Sequence, residues 1–284
     1  MAIFYNQANL SYSGGSTNSN IVTGEIVEVL TATKTAVTNE YGAGDTLTYI
    51  VSVLNSGATS FTGLTVTDNL GEYELSGEEY EPLTYISDSV KYYQNGVLQT
   101  TPSVTDESPL VITGIAVPAD GNAMLIYSVR VNERAPLGED GEIENTVTIT
   151  GSGITTPIQA TETVETRDEP LLTITKGINP TTVTDNSELT YTFTIQNIGN
   201  TAAVATDDIV VTDDFDPVLQ NISVTLNGRV LTEGTDYTYN EATGEFVTTA
   251  GVITVPAATY AQNPQTGEWS VTPGTVTLIV RGTV

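Results

Sequence analysis

Residues Thr48 to Gly57 read TYIVSVLNSG, and residues Thr190 to Gly199 read TYTFTIQNIG. In the first stretch and just before it, Leu47, Tyr49, Val51 and Val53 alternate with small polar residues; in the second, Leu189, Tyr191, Phe193 and Ile195 do the same. Side chains two residues apart in a strand share a face, so each stretch is a strand with one buried and one wetter side. The two are copies. Upstream, LTATKTA and LTITKGI place Lys34 and Lys176, two of the three lysines in the chain, at the same offset from one another as Thr48 and Thr190. Downstream, LTVTDNL answers IVVTDDF, pairing Asp68 with Asp213, and IYSVRV around Arg130 answers LIVRGT around Arg281. One module is present twice.

The copies differ at their ends. The first continues through GEIENTVTITGSG, whereas the second reaches Val284 shortly beyond the position of Arg130. The missing strand has its match at the N-terminus: YNQANLSYSGG precedes Lys34 as ENTVTITGSG precedes Lys176, so Asn6 corresponds to Asn145. The chain reads as a permuted tandem, with a terminal strand first, then a complete module, then a module without that strand. Thr and Val abundance, 25 Gly, 12 Pro and the absence of long amphipathic patterns in 284 residues place it in the all-β class. The expected architecture is two tandem immunoglobulin-like β-sandwiches, the second lacking its terminal strand, plus an N-terminal donor strand. The expected boundaries are 1–24 for donor strand and flexible connector, 25–165 for the complete sandwich and 166–284 for the incomplete one. The charged stretch from Thr161 to Pro170 marks the junction, and SGGSTNSNIVTG from Ser13 to Gly24 reads as a connector without a strand-length apolar pattern.

A net charge of −27 with no His argues against nucleic acid and against an anionic membrane surface. No segment is long and apolar enough to span a bilayer, and the start MAIFYNQANL has no basic region followed by an apolar run, so no conventional signal peptide is expected. Without Cys there are no disulfides, and without His or Cys the usual nucleophile and zinc arrangements are missing, so no turnover enzyme and no cofactor are expected. The acidic run TDDIVVTDDFDP has no EF-hand spacing and reads as solvated charge, with calcium the rival reading. Tyr80, Tyr85, Tyr92, Tyr93 and Trp269 are candidates for a ligand-binding aromatic face or for cross-strand packing.

Strand parity carries the chemistry. Lys34 shares a face with Leu30 and Ala32, Lys176 with Leu172 and Ile174, Asp68 with Leu64 and Val66, Asp213 with Ile209 and Val211, Asn145 with Ile143 and Val147, and Asn6 with Phe4 and Ala8. An amine, a carboxylate and a carboxamide facing one core are costly to bury unless they satisfy one another. Burial favours the neutral amine and the protonated carboxyl. The amine can then attack the asparagine carbonyl while the acid polarises it and shuttles protons, releasing ammonia and leaving an amide. Taken singly, each residue also has an ordinary explanation: an edge lysine, a turn aspartate, a turn-capping asparagine.

The segments TKTAVTNEYGAGDTLTYIVSVLNSG, LTVTDNL and ENTVTIT resemble the bacterial surface repeat called domain of unknown function eleven, or conserved repeat domain. The resemblance implies an intramolecular isopeptide made by Lys34, Asp68 and Asn145, in a protein of the bacterial cell surface. Size, start and tandem layout are also similar to clostridial spore-appendage proteins, which implies an extracellular location on the spore. In the second module Lys176 and Asp213 have no Asn of their own, and the equivalent residue is Asn6. The expected partner is therefore another copy of the chain: Ala2 to Tyr12 inserts into the second module of the next subunit, Lys176 bonds to Asn6, and a homopolymer grows head to tail. Fold-back within one chain is the structural rival. A monomeric adhesin or surface stalk binding a protein or glycan is the functional alternative.

Overall fold

The computed structural model describes residues 2–26 and 29–284. Met1, the first residue of the expected donor segment, and Val27 and Glu28, near the expected start of the first sandwich, lie outside them. Residues 2–26 build a ribbon in which β1 (Ala2–Asn6) pairs antiparallel with β4 (Val22–Ile26), and β2 (Asn9–Tyr12) with β3 (Gly15–Asn18). Two strands thus occupy the stretch expected to be a connector. Its Ser, Thr and Asn residues carry no burial pattern, and their strand state is set by pairing with β1 and β2. These four strands pair only with one another, so in the single chain Asn6 lies opposite Val22 rather than in either sandwich.

The first sandwich comprises β5 (Leu30–Ala36), β6 (Glu40–Tyr41), β7 (Thr46–Asn55), β8 (Phe61–Asp68), β9 (Tyr73–Leu75), β10 (Glu78–Tyr80), β11 (Leu83–Tyr85), β12 (Lys91–Gln94), β13 (Val97–Leu98), β14 (Ser103–Glu107), β15 (Leu110–Val117), β16 (Gly121–Val131), β17 (Glu142–Thr150) and β18 (Ile158–Thr166). One sheet runs β13-β12-β16-β7-β5, the other β14-β15-β8-β17-β18-β6. The alternation read in β7 holds: Leu47, Tyr49, Val51 and Val53 are buried, and they meet Val66, Val147 and Ile149 from the opposite sheet in one core. β18 takes in most of the stretch read as a junction. Val164 and Thr166 face inward, Glu165 between them is exposed, and Glu162 is half-buried against β5, where its carboxylate accepts from the Ala36 amide; the connection is Arg167–Leu171.

The second unit contains β19 (Leu172–Asn179), β20 (Glu188–Asn197), β21 (Thr212–Asp214), β22 (Gln220–Leu226), β23 (Arg229–Val230), β24 (Tyr237–Tyr239), β25 (Glu245–Thr248), β26 (Thr259–Gln262), β27 (Trp269–Thr272) and β28 (Gly274–Thr283). A sheet ordered β19-β20-β28-β22-β23 faces a smaller one, β21-β25-β24, across a second core that includes Leu189, Phe193, Phe215, Phe246 and Leu278. Both units use an Asn-Gly turn with positive φ at each residue, Asn95-Gly96 and Asn227-Gly228, to close a hairpin in the hand that suits twisted strands. The expectation of one missing strand needs correction. In the first sandwich both β17 and β18 lie between β8 and β5; among the described residues neither has a counterpart between β21 and β19.

Register refines the alignment of the copies. Lys34 stands opposite Val51 and Lys176 opposite Phe193, as the repeat requires. Thr46 faces Arg130, however, whereas its counterpart Glu188 faces Thr283, and Arg281 faces Thr190. Arg281 therefore takes the place of Ser128 and not that of Arg130, a slip that preserves which face each residue shares.

The β26–β27 hairpin reaches back to the first sandwich. Tyr80 Oη donates to the Gln265 carbonyl at 2.8 Å, Gln262 Nε2 to Tyr73 Oη at 2.6 Å, and the Trp269 amide to the Glu133 carbonyl at 2.8 Å. Tyr80 and Trp269 are thus spent on this joint, and Tyr85 and Tyr92 are buried in the first core, so these aromatic residues do not assemble into one exposed face. The described residues contain no helix long and apolar enough to cross a membrane, and no group of three or more acidic side chains placed to hold a metal ion.

Candidate functional site

Lys34 on β5, Asp68 at the end of β8 and Asn145 on β17 reach one interior from three strands and both sheets. Their exposures are 3%, 1% and 0%. The ladder explains the convergence: Val147 lies directly opposite Asp68, which puts Asn145 two positions along on the same inward face. Lys34 Nζ is 2.7 Å from Asp68 Oδ2 and 4.6 Å from the centre of the Tyr49 ring. The Tyr127 hydroxyl also donates to Asp68 Oδ2, and the Leu70 amide donates to Oδ1 at 2.8 Å. The Gly71 amide donates to Asn145 Oδ1 at 3.2 Å. A side chain at Gly71, whose φ is +74°, would place its Cβ 2.5 Å from Ile143, so the approach of this amide requires glycine.

The electrostatics follow from burial. Desolvation pushes the Lys34 amine down to about 8, against the pull of the Asp68 charge, which favours the ammonium. Burial likewise pushes the Tyr49 and Tyr127 hydroxyls well above their usual range, and the neighbouring Asp68 charge adds to this. The Asn145 amide lies close enough to Tyr49 to oppose part of that shift, yet neither Asn145 Nδ2 nor Tyr49 Oη makes a hydrogen bond of normal geometry. A buried amide nitrogen without an acceptor costs about 1–3 kcal/mol. The carboxamide is therefore held by its oxygen, with its nitrogen loose, in the same buried interior as an amine whose neutral form burial favours.

The second site repeats half of this. Lys176 on β19 forms an ion pair with Asp213 on β21, and its Nζ lies 4.4 Å over Tyr191, the counterpart of Tyr49. Asp214 turns outward, as its parity requires. Sequence parity alone places Lys176 inside; the structure leaves its side chain 40% exposed and that of Asp213 15% exposed, because nothing among the described residues occupies the place that β17 and β18 take over Lys34. Ile174 and Ile178, on the same face of β19 as Lys176, are also exposed. Asn6 sits on the exposed ribbon and is not brought to this pair.

Three participants escaped the sequence reading. Tyr127 breaks the repeat, since its counterpart by register is the buried Val280, and only its parity with Leu125 and Val129 hinted at an inward hydroxyl. Tyr49 was read as core, and Gly71 acts through its backbone.

No family model and no curated relative matches the chain. Among solved structures it is similar to the major pilin subunit BcpA of Bacillus cereus, at 13% identity over 96% of this chain and 73% of that one, with a TM-score of 0.38. It is also similar to the pilus backbone protein of Streptococcus pneumoniae, at 12% identity over 86% and 55% of the two chains, with a TM-score of 0.34. A collagen-binding domain from a Staphylococcus aureus adhesin matches half the chain: 10% identity, 50% and 99% coverage, TM-score 0.31.

Proposed function

We propose that the chain is the structural subunit of an extracellular filament or spore appendage that polymerises head to tail and staples itself with Lys–Asn amides. One amide joins Lys34 to Asn145 within a subunit. Another joins Lys176 to Asn6 of a neighbour, whose segment from Ala2 to Tyr12 enters the second sandwich. The observation that carries this reading is the pairing of a closed site with an open one: the same lysine and aspartate occur twice, once with a buried carboxamide and once exposed, while a matching carboxamide lies on an exposed ribbon.

The chemistry uses groups in place around Asn145. Loss of the Lys34 ammonium proton to solvent leaves a neutral amine, whose Nζ attacks Cγ of Asn145. Negative charge growing on Oδ1 falls to the Gly71 amide already directed at it. Protons pass through Asp68 to Nδ2, the C–N bond breaks, and ammonia leaves; an amide joins the side chains and Asp68 returns to its starting state. Each site reacts once, so the chain is not a turnover catalyst. Tyr127 holds Asp68 in place throughout.

The test is denaturing electrophoresis of boiled protein with intact mass measured on every band. A ladder of covalent oligomers, losing about two ammonia molecules per added subunit, is the expected result. A lone monomer band at the unmodified mass refutes the stapling.

A further inference from the structure

We propose, building on the head-to-tail reading, that the second sandwich receives a whole hairpin from its neighbour: the unit that enters is residues 2–26, with both strands docking, and not β1 and β2 alone. The acceptor is a second copy of this chain.

The width of the opening comes first. In the first sandwich the order β8-β17-β18 fills the space beside β5, and the Ala36 amide donates to Glu162 of β18 at 3.2 Å. In the second, the edges of β21 and β19 bound the same space, so it is two strands, about 10 Å, wide. A single strand would pair with β21 and leave β19 uncovered.

The ribbon has the matching form. Asn145 pairs with Glu162 as Asn6 pairs with Val22, and the two hairpins close over stretches of nearly equal length. Each hairpin also stands directly before a lysine strand, β5 or β19. The facing residues exchange bulk between strands: Ile143 lies opposite Val164, whereas Phe4 lies opposite Gly24, and the Phe4 ring occupies the room that a side chain at Gly24 would need. A large–small pair thus replaces a medium–medium pair of similar total volume. That compensation has a purpose only if both strands pack against the same core.

Charge identifies the partner. The chain carries 35 acidic residues, yet none of residues 1–24 is charged, and these same residues expose Ile3, Phe4, Leu10, Ile21 and Val22. Two copies at −27 repel each other. This hairpin, whose only charged side chain is Glu25, is the part of one copy that can enter another at least cost, and the exposed Ile174 and Ile178 offer it an apolar floor.

Substitutions in the full chain test this, read by polymer size in native buffer and by the boiled ladder. The ammonia lost at the Lys34 site reports that each variant folds. Gly24→Val, on an extended backbone, collides with Phe4 and is expected to leave only monomer; adding Phe4→Ile recreates the Ile143–Val164 pair and is expected to restore the ladder. If Gly24→Val polymerises like wild type while Phe4→Asp does not, a single strand is donated and the hairpin proposal falls with the head-to-tail reading intact. If both polymerise like wild type, the ribbon is not the donor and the head-to-tail reading itself falls. If the double variant fails to recover, the paired register is wrong.

Discussion

The rate at which the Lys34–Asn145 amide forms should depend on pH through the amine alone below about 8. With the amine pushed down to about 8 by burial, about one Lys34 in ten is neutral at pH 7. An ordinary lysine near 10.4 would have about four in ten thousand neutral, so the site raises the attacking species by about two orders of magnitude. The rate is expected to climb about tenfold per pH unit from pH 6 to pH 7, bend near 8 and then level. Chain recovered unfolded from inclusion bodies, in a Lys176→Ala background so that one site reacts, can be diluted into buffers of different pH. Acid-quenched samples then report the loss of one ammonia by intact mass. The same shift appears in stability once the chemistry is blocked. In Asn145→Ala the folded amine titrates below the unfolded one, so between about 8 and about 10.4 the unfolded state binds more protons and stability rises with pH. The cost of the buried amine, about 3 kcal/mol, is present in full below pH 8 and fades across that window. A rate that is flat between pH 6 and 8, or an Asn145→Ala stability that falls between pH 8 and 10, refutes the neutral-amine mechanism.

Asn145→Ala should also remove a cross-link closing a loop of about 110 residues, lowering stability to denaturant by about 4–5 kcal/mol if an amide constrains the unfolded chain as a disulfide does. Tyr127→Phe takes one charge-assisted hydrogen bond from buried Asp68, costing about 1.5–3 kcal/mol, and slows ammonia loss in the refolding assay; an unchanged rate would show that Tyr127 only fills space. Lys176→Ala should still assemble in native buffer but fall to monomer on boiling. Survival of its polymers in denaturant would place the intersubunit bond at another lysine.

Alternation in β7 and β20 made the sandwich class legible, and inward parity selected Lys34, Asp68 and Asn145 before any contact was known. Face has a period of two in a strand, so parity survives errors of register: the slip of two at Arg281 left every inward residue inward. What parity does not carry is cover. Lys34 and Lys176 stand at matching positions of the repeat, yet one is buried and the other 40% exposed, because the cover over Lys34 comes from strands far along the chain, β17 and β18. The ribbon was harder to read for the opposite reason. Gly15–Asn18 has no apolar residue, and β4 little alternation; their state is written in their partners. Thr161–Thr166 misled through charge, since a strand with one solvated face looks like a linker when most of its residues are Glu or Thr.

The contrast between the two sites would give the proposed filament its order of events. Under the proposed stapling, folding of the first sandwich itself brings the carboxamide and excludes water, so that bond would be a consequence of the fold. At Lys176 the ion pair with Asp213 is already formed, but water still reaches the amine. Under the head-to-tail reading, the hairpin that brings Asn6 is the same element that covers Lys176, and the reagent and the desolvation that activates it arrive in one step. A free subunit whose own hairpin does not fold back then has no route to a premature bond at the second site, and a neighbour docked out of register brings cover without a carboxamide within reach. Covalent closure would follow correct docking only, and the finished polymer would repeat the hairpin-and-sandwich arrangement that residues 30–166 already hold within one chain.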